Sequence, residues 1–377
     1  MSKGHSYLAP SGAKAWSVCA MWPSMNEAYP QDDIPESIEG TAAHWVWGKL
    51  LDSEPVDVGD VAPNGHIVTQ EMMEGARLYV SVLPKVKREL LVVETPVSIS
   101  SVHPDCYGTP DTWYFDNTAK TLHIFDYKFG HRFVDEYENL QCIMYAEGIM
   151  NRLALQHGVG PGAFDQFVTV CITIVQPRCY YKGEPVRTWE FNGAKVRGYI
   201  NQLRSAAERA HAPDPIATTN EEACRYCPGR HACPALQLGA YSDLQFSTQS
   251  SPVELPLSAA ALELKMMENG LARLQARVEG MREFVVSRLA QGEYSPYYRL
   301  KDSYGRRTWN KPDDEVIALG ELFGKDLSKR TVITPSQAIK NGIDETVISA
   351  YSYIHKGEPN LAENDPNDAA KIFNNQE

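Results

Sequence analysis

Residues Gly108–Gly130 read GTPDTWYFDNTAKTLHIFDYKFG. Thr112-Trp113-Tyr114-Phe115 is β-branched and aromatic, as strands prefer. Asp116-Asn117-Thr118-Ala119-Lys120 is turn chemistry, and Thr121 to Phe125 is again strand-like. Counting outward from Thr118 sets Asp111 opposite residue 125 or 126, so Asp111 and Asp126 meet at the open end of a hairpin. Residues i and i+2 of a strand share a face, so Lys128 points the same way as Asp126. Two carboxylates suit a divalent cation, since Mg²⁺ prefers oxygen ligands. A lysine beside them orients a water or takes up charge on a phosphate. The set suits metal-assisted phosphodiester hydrolysis. Taken alone, the same residues also read as solvated acids and a lysine at a sheet edge.

The chain has 377 residues, enough for one large or two modest domains. A hydrophobic content of 43% and a charged content of 22% are those of an ordinary globular protein. No apolar run approaches the ~20 residues of a membrane span. Met1-Ser2-Lys3-Gly4-His5 lacks the apolar core of a signal peptide, and a cytoplasmic site is expected. The net charge of −12 argues mildly against a nucleic-acid binder, but it is uneven. Residues 31–60 carry eight acids against Lys49, whereas residues 178–209 carry seven Lys/Arg against three Glu, and residues 273–307 eight against four. Basic strips of this kind remain compatible with DNA.

The order of elements predicts an α/β core. Helices are expected over 11–29, 38–51, 69–90 (ending near Pro84), 136–155 and 194–212. Strands are expected over 91–100, the hairpin, 167–176 and 186–191. Residues 1–245 form the main domain, 246–256 a linker and 257–356 a mainly helical extension; 357–377 is a polar tail expected to lack order. In the extension, Met267, Leu271, Leu274, Val278, Met281, Val285 and Leu289 form one apolar stripe on a long helix. Such a stripe is expected to be buried, on the core or on a second copy. Arg273, Arg277, Arg282 and Arg288 lie on the other faces, and Arg299, Lys301, Arg306 and Arg307 follow. These cations are expected to flank the site and contact phosphates.

Of the eight cysteines, Cys142, Cys171 and Cys179 sit in apolar surroundings and read as buried small hydrophobes; Cys106 beside the hairpin is left open. Cys224, Cys227 and Cys233 form C-x2-C-x5-C with Pro228 and Pro234 flanking, a density of thiols that points to metal. The fourth ligand is either His231, giving a Cys3His zinc site, or Cys19, giving a [4Fe-4S] cluster. His44 in EGTAAH and the pair Gln141/Tyr145, spaced i, i+4 in QCIMY, are by themselves ordinary helical residues.

In chain order, Cys19, EGTAAH, GTPD, DYK, QCIMY and CRYCPGRHAC resemble the RecB-like branch of the PD-(D/E)XK nuclease superfamily in its iron–sulfur, AddB-like form. The closest similarity is to uncharacterised phage and prophage members. The motifs run from Cys19 to Cys233, about three fifths of the chain. The resemblance implies a restriction-endonuclease-like core, a mixed central sheet flanked by helices. It implies that His44, Asp111, Asp126 and the Tyr127 carbonyl hold Mg²⁺ or Mn²⁺ and that Lys128 is the catalytic lysine. Gln141 and Tyr145 would position DNA, Cys19, Cys224, Cys227 and Cys233 would hold the cluster, and Glu94 would have a supporting role. GTPD departs from the family pattern by placing Thr109-Pro110 between Gly and Asp, which puts the strand start in doubt.

The implied activity is that of a deoxyribonuclease, an exonuclease of phage DNA replication or recombination, in the host cytoplasm if phage-encoded. Its substrate would be DNA ends or single strands, and its partner a phage recombinase, annealing protein, helicase or polymerase, with no membrane. No G-x-x-x-x-G-K-[ST] motif is present for unwinding. The competing readings are a catalytically silent nuclease fold that clamps DNA or protein, and a zinc-stapled structural adaptor.

Overall fold

The computed structural model describes residues 6–30, 35–179, 184–247, 255–303, 308–309, 311, 313–329, 331–332, 334–340, 342–353 and 360–363. The chain divides into two compact units, residues 1–278 and 279–377.

The first unit is built on a five-stranded mixed sheet. In chain order its strands are β1 (Val92–Val93), β2 (Thr112–Asp116), β3 (Thr121–Tyr127), β4 (Thr169–Val175) and β5 (Val186–Asn192), and they lie side by side in that order. β2 and β3 are the expected hairpin, with Thr112 opposite Phe125 and Asp116 opposite Thr121. β3 and β4 run parallel, and the other pairings are antiparallel. A parallel neighbour requires a crossover, which Leu140–Gln156 supplies as a helix.

Four helices cover the sheet: α1 (Pro35–Leu51), α2 (Gln70–Val82), α3 (Leu140–Gln156) and α4 (Val196–Ala210). Alternation along β3 assigns its side chains to two cores. Leu122 and Ile124 join Ile172 and Ile174 of β4 against Ile143, Ile149 and Ile200 of α3 and α4. Phe125 and Tyr127 join Val175 against Val46 and Trp47 of α1 and Met72 and Tyr79 of α2. The α/β class expected from the sequence is therefore present: a mixed central sheet flanked by helices, with a helical C-terminal region.

Several expected elements are shorter or broken. Residues 11–29 are not one helix. Ala13–Trp16 and Trp22–Ala28 are separate short helices with Cys19 in the turn between them; Pro23, which lacks an N–H donor, lies in the first turn of the second. Residues 91–100 split into β1 and Val97–Ser98, which pairs with Tyr107–Gly108 instead of the main sheet. Glu94 at the break has φ +39° and Pro96 lacks a ladder donor.

Two more helices follow, α5 (Pro234–Ser247) and α6 (Leu257–Ala290), and the division between the units falls inside α6. Of the expected linker, residues 248–254 lie outside the described residues. The apolar stripe of α6 is not buried within the chain: Met267, Leu271 and Val278 are 59%, 65% and 54% exposed. The opposite face packs instead at Ala276, and one flank of the stripe packs at Gly270. Ala276 is buried with Leu236, Cys224 and Cys233, and the bare backbone of Gly270 passes next to Asp243 of α5.

The second unit has its own small core of Val316, Leu319, Leu327, Ala338, Ile343 and Ile348, carried largely by the helices Asp313–Leu322, Pro335–Lys340 and Glu345–Tyr351. Within the expected disordered tail, Asn360–Glu363 pairs antiparallel with Tyr298–Lys301; the rest of the tail lies outside the described residues.

Candidate functional site

The row Leu122, Ile124, Asp126, Lys128 runs along one face of β3 and just past its end. Its first two members are core, and the row then turns polar where α3 passes over it. Asp126 is only 2% exposed. Lys128 Nζ lies 3.1 Å from Asp126 Oδ1, with hydrogen-bond geometry, and 2.9 Å from Oδ2 without it. Asp126 Oδ2 is therefore a buried oxygen with no hydrogen-bond donor. Asp111 stands one residue before β2, across from Asp126 by the hairpin register. Its Oδ2 accepts the Tyr127 backbone N–H at 2.7 Å, and its Oδ1 is 3.6 Å from Nδ1 of His44 on α1. Gln141 on α3 accepts from Lys128 Nζ at 3.2 Å and donates to the Tyr145 hydroxyl at 3.1 Å.

His44, Asp111, Asp126, Lys128, Gln141 and Tyr145 thus form one continuous set of contacts joining α1, the β2–β3 hairpin and α3, with the Tyr127 N–H as the link between Asp111 and β3. Thr109-Pro110 is absorbed before β2 begins, so the departure in GTPD leaves Asp111 in register. Gly108 has a local requirement: a Cβ there would stand 2.7 Å from Tyr145 Cε1. Glu94 is exposed and reaches the site through its backbone, its N–H donating to Asp111 O at 2.9 Å.

Burial pushes the Asp111 carboxyl up to about 6, with the Asp126 charge adding to it and His44 and Lys128 opposing it. Burial alone would lower Lys128, but the Asp126 and Asp111 carboxylates outweigh it and hold the ammonium charged. Three neighbours were missed by sequence reasoning: Tyr79, whose hydroxyl donates to Phe125 O at 3.3 Å, the buried Thr112, and Cys142, whose thiol is raised first by burial and then by the Asp126 charge. Nothing in their spacing distinguishes them from core positions.

The shift at Asp111 has a measurable consequence. Folding favours its protonated form, so that stabilisation is fully present below about pH 4 and is lost as pH rises through about 6. Ionisation above that range then costs on the order of 2–3 kcal/mol. Asp111→Asn, in EDTA, is expected to melt several degrees above the parent at about pH 8 and at the same temperature near pH 4. Equal melting curves at both pH values would show that Asp111 carries no such penalty.

The donor chemistry fits a hard divalent cation: two carboxylates, one with an undonated buried oxygen, beside an imidazole. Among the described residues, no group of three or more His, Cys, Asp or Glu side chains stands arranged to hold a metal ion.

A second cluster lies elsewhere in the same unit. Cys19, Cys224, Cys227 and Cys233 line one apolar cavity together with Trp22, Met25 and Leu236. The Thr218 N–H points at Cys19 Sγ at 3.5 Å. Burial raises the Cys224 thiol and pushes Cys227 up to about 12, with Cys19 and Cys233 adding to both and Cys224 adding to Cys227. His231 does not line this cavity; its ring lies edge-on to Tyr29 at 4.7 Å. Cys19, and not His231, thus shares the cavity with the other three cysteines. Cys106 is buried, its Sγ 3.2 Å from Leu8 O, and Cys142 and Cys179 are buried as expected, but Cys171 is only half-buried. Arg132, just past Lys128, bonds Glu222 next to the cysteines at 3.1 Å and so ties the two regions together.

Arg273 and Arg277 are engaged elsewhere instead of flanking the first site as expected. Arg273 forms a bidentate pair with Asp243 at 2.8 and 2.6 Å, and Arg277 donates to the carbonyls of His231 and Arg230. Arg306 and Arg307 lie outside the described residues. Arg273→Ala with Arg277→Ala is expected to loosen the cysteine loop, lowering the melting temperature by several degrees, and to leave the salt dependence of any DNA binding unchanged. A shallower salt slope at an unchanged melting temperature would return these residues to phosphate contact.

The fold and site thus define a mixed α/β protein with a buried carboxylate–lysine centre and a separate four-thiol cluster. The chain belongs to a family of proteins of unknown function (DUF2800), which matches residues 5–366. Among solved structures it is similar to the one described as "Crystal structure of SSO0001", at 10% identity and a TM-score of 0.31, over 62% of this chain and 89% of that one. A likeness that low carries no inference. Among the described residues, no helix is long and apolar enough to cross a membrane.

Proposed function

We propose that this protein is a metal-dependent deoxyribonuclease of the RecB-like PD-(D/E)XK type, acting as an exonuclease on DNA ends or single strands. The observation that carries this reading is the convergence of His44, Asp111, Asp126, Lys128, Gln141 and Tyr145, with Asp126 Oδ2 buried and lacking a donor. Asp111, Asp126, His44 and the Tyr127 carbonyl would hold Mg²⁺ or Mn²⁺. Such a cation, when bound, polarises the scissile phosphate and makes its water a better nucleophile. Lys128 orients that water and takes up charge developing on the phosphate, and Gln141 fixes the ammonium between itself and Asp126. Tyr145, held by Gln141, contacts the DNA strand beside the site. The thiols of Cys19, Cys224, Cys227 and Cys233 would carry a [4Fe-4S] cluster, with zinc the alternative occupant. The cluster would join the N-terminal turn to the loop after residue 220.

The expected setting is the cytoplasm of a phage-bearing host, with a recombinase, annealing protein, helicase or polymerase as partner. The test is incubation of the purified chain with end-labelled linear DNA and closed circular DNA, in Mg²⁺, Mn²⁺ or EDTA. Loss of label from linear DNA only, abolished by EDTA, is the expected result. Intact DNA under every condition would overturn the proposal in favour of a fold that binds without cutting.

A further inference from the structure

α6 is one helix from Leu257 to Ala290, and its exposed stripe follows a regular 3-4 spacing. Leu264, Leu271, Val278 and Val285 occupy the first core position of successive heptads, and Met267, Leu274 and Met281 the second. Leu264, Met267, Leu271, Val278 and Met281 are all exposed, so a coiled-coil seam faces water. A contiguous apolar stripe of this length on a soluble surface marks an interaction site. The chain's own contacts use the face of Arg273 and Ala276 and the flank of the seam that carries Gly270 and Arg277.

The charges flanking the seam decide what fits it. On one side lie Glu268, Gln275 and Arg282; on the other lie Glu263, Gly270 and Arg277. In a parallel pair of these helices Glu263 would face Glu268 and Arg277 would face Arg282, like charges at both ends. In an antiparallel pair with Leu264 opposite Met281, Glu268 faces Arg282 and Glu263 lies on the side of Arg277. Glu268 and Arg282 are both exposed, as such a pairing needs. We infer that the seam docks a second copy of this chain, with the two α6 helices antiparallel and centred near Leu271–Leu274.

Sedimentation of the full chain across a concentration series tests this. The parent is expected to reach a reversible dimer. Leu271→Glu with Leu274→Glu is expected to be monomeric with an unchanged circular dichroism spectrum. Arg282→Glu replaces two attractive pairs by two repulsive ones and is expected to weaken the dimer roughly tenfold or more, with Glu268→Lys added to it restoring the dimer. A parallel pair would respond in the opposite sense, because Arg277 would gain an acidic partner. A monomeric parent chain would overturn the proposal, and so would a dimer tightened by Arg282→Glu or one unaffected by the double glutamate variant.

Discussion

Asp126→Asn and Lys128→Ala are each expected to lose DNA cleavage by roughly a thousandfold or more, while the chain stays folded. The sequence places both residues on the exposed end of a hairpin, but in the fold the environment is tighter. Asp126 is 2% exposed and Lys128 27%. Truncating Asp126 to Ala would leave the Lys128 ammonium beside an apolar gap, and removing one partner of a buried pair costs about 3–5 kcal/mol. Asn keeps the shape and an acceptor for Lys128 while removing the charge. Lys128→Ala carries a comparable cost, because it leaves the buried Asp126 carboxylate without its cation. Single-turnover cleavage rates, read beside melting curves, separate lost chemistry from lost fold. Variants that melt like the parent and cut like the parent would detach the activity from this centre.

Cys19→Ala is expected to be as damaging as Cys227→Ala, although the two positions lie over two hundred residues apart in sequence. Both thiols line the same apolar cavity, and neither is replaced by His231, which sits against Tyr29. A structural metal contributes to folding on the order of 10 kcal/mol, comparable with the whole stability of a domain. Loss of one ligand is therefore expected to yield metal-free, largely unfolded protein. The parent is expected to be brown with iron and sulfide in equal amounts; a colourless parent with one zinc would keep the four-thiol site and exchange its occupant. A folded Cys19→Ala protein with full metal content would instead make Cys19 a bystander.

The hairpin was legible because turn chemistry at Asp116–Lys120 fixes the register, and the register alone brings Asp111 to Asp126. Gln141 and Tyr145 were legible as a pair by their helical spacing, and their place against Lys128 came only from the resemblance. His44 could not be joined to Asp111 by any local pattern, since α1 reaches the site only by packing on the Phe125–Tyr127 face of the sheet. The cysteine motif was legible as a metal pattern, yet the choice between Cys19 and His231 depends on a turn between two short helices that reads as continuous helix in the sequence. On α6 the periodicity marks the apolar face, and within the chain that face is left exposed. Periodicity identifies an apolar face, whereas Gly270, Ala276 and the Arg273–Asp243 pair decide which face meets α5.

Asp111, Asp126 and His44 are proposed to hold a divalent cation beside Lys128. Titration of the purified chain with Mn²⁺, followed by the electron paramagnetic resonance signal of the unbound ion, tests it most directly. The expected result is one Mn²⁺ taken up per chain, displaced by excess Mg²⁺ and lost in Asp126→Asn. Equal uptake by the parent and by Asp126→Asn, or no uptake by the parent, would contradict it.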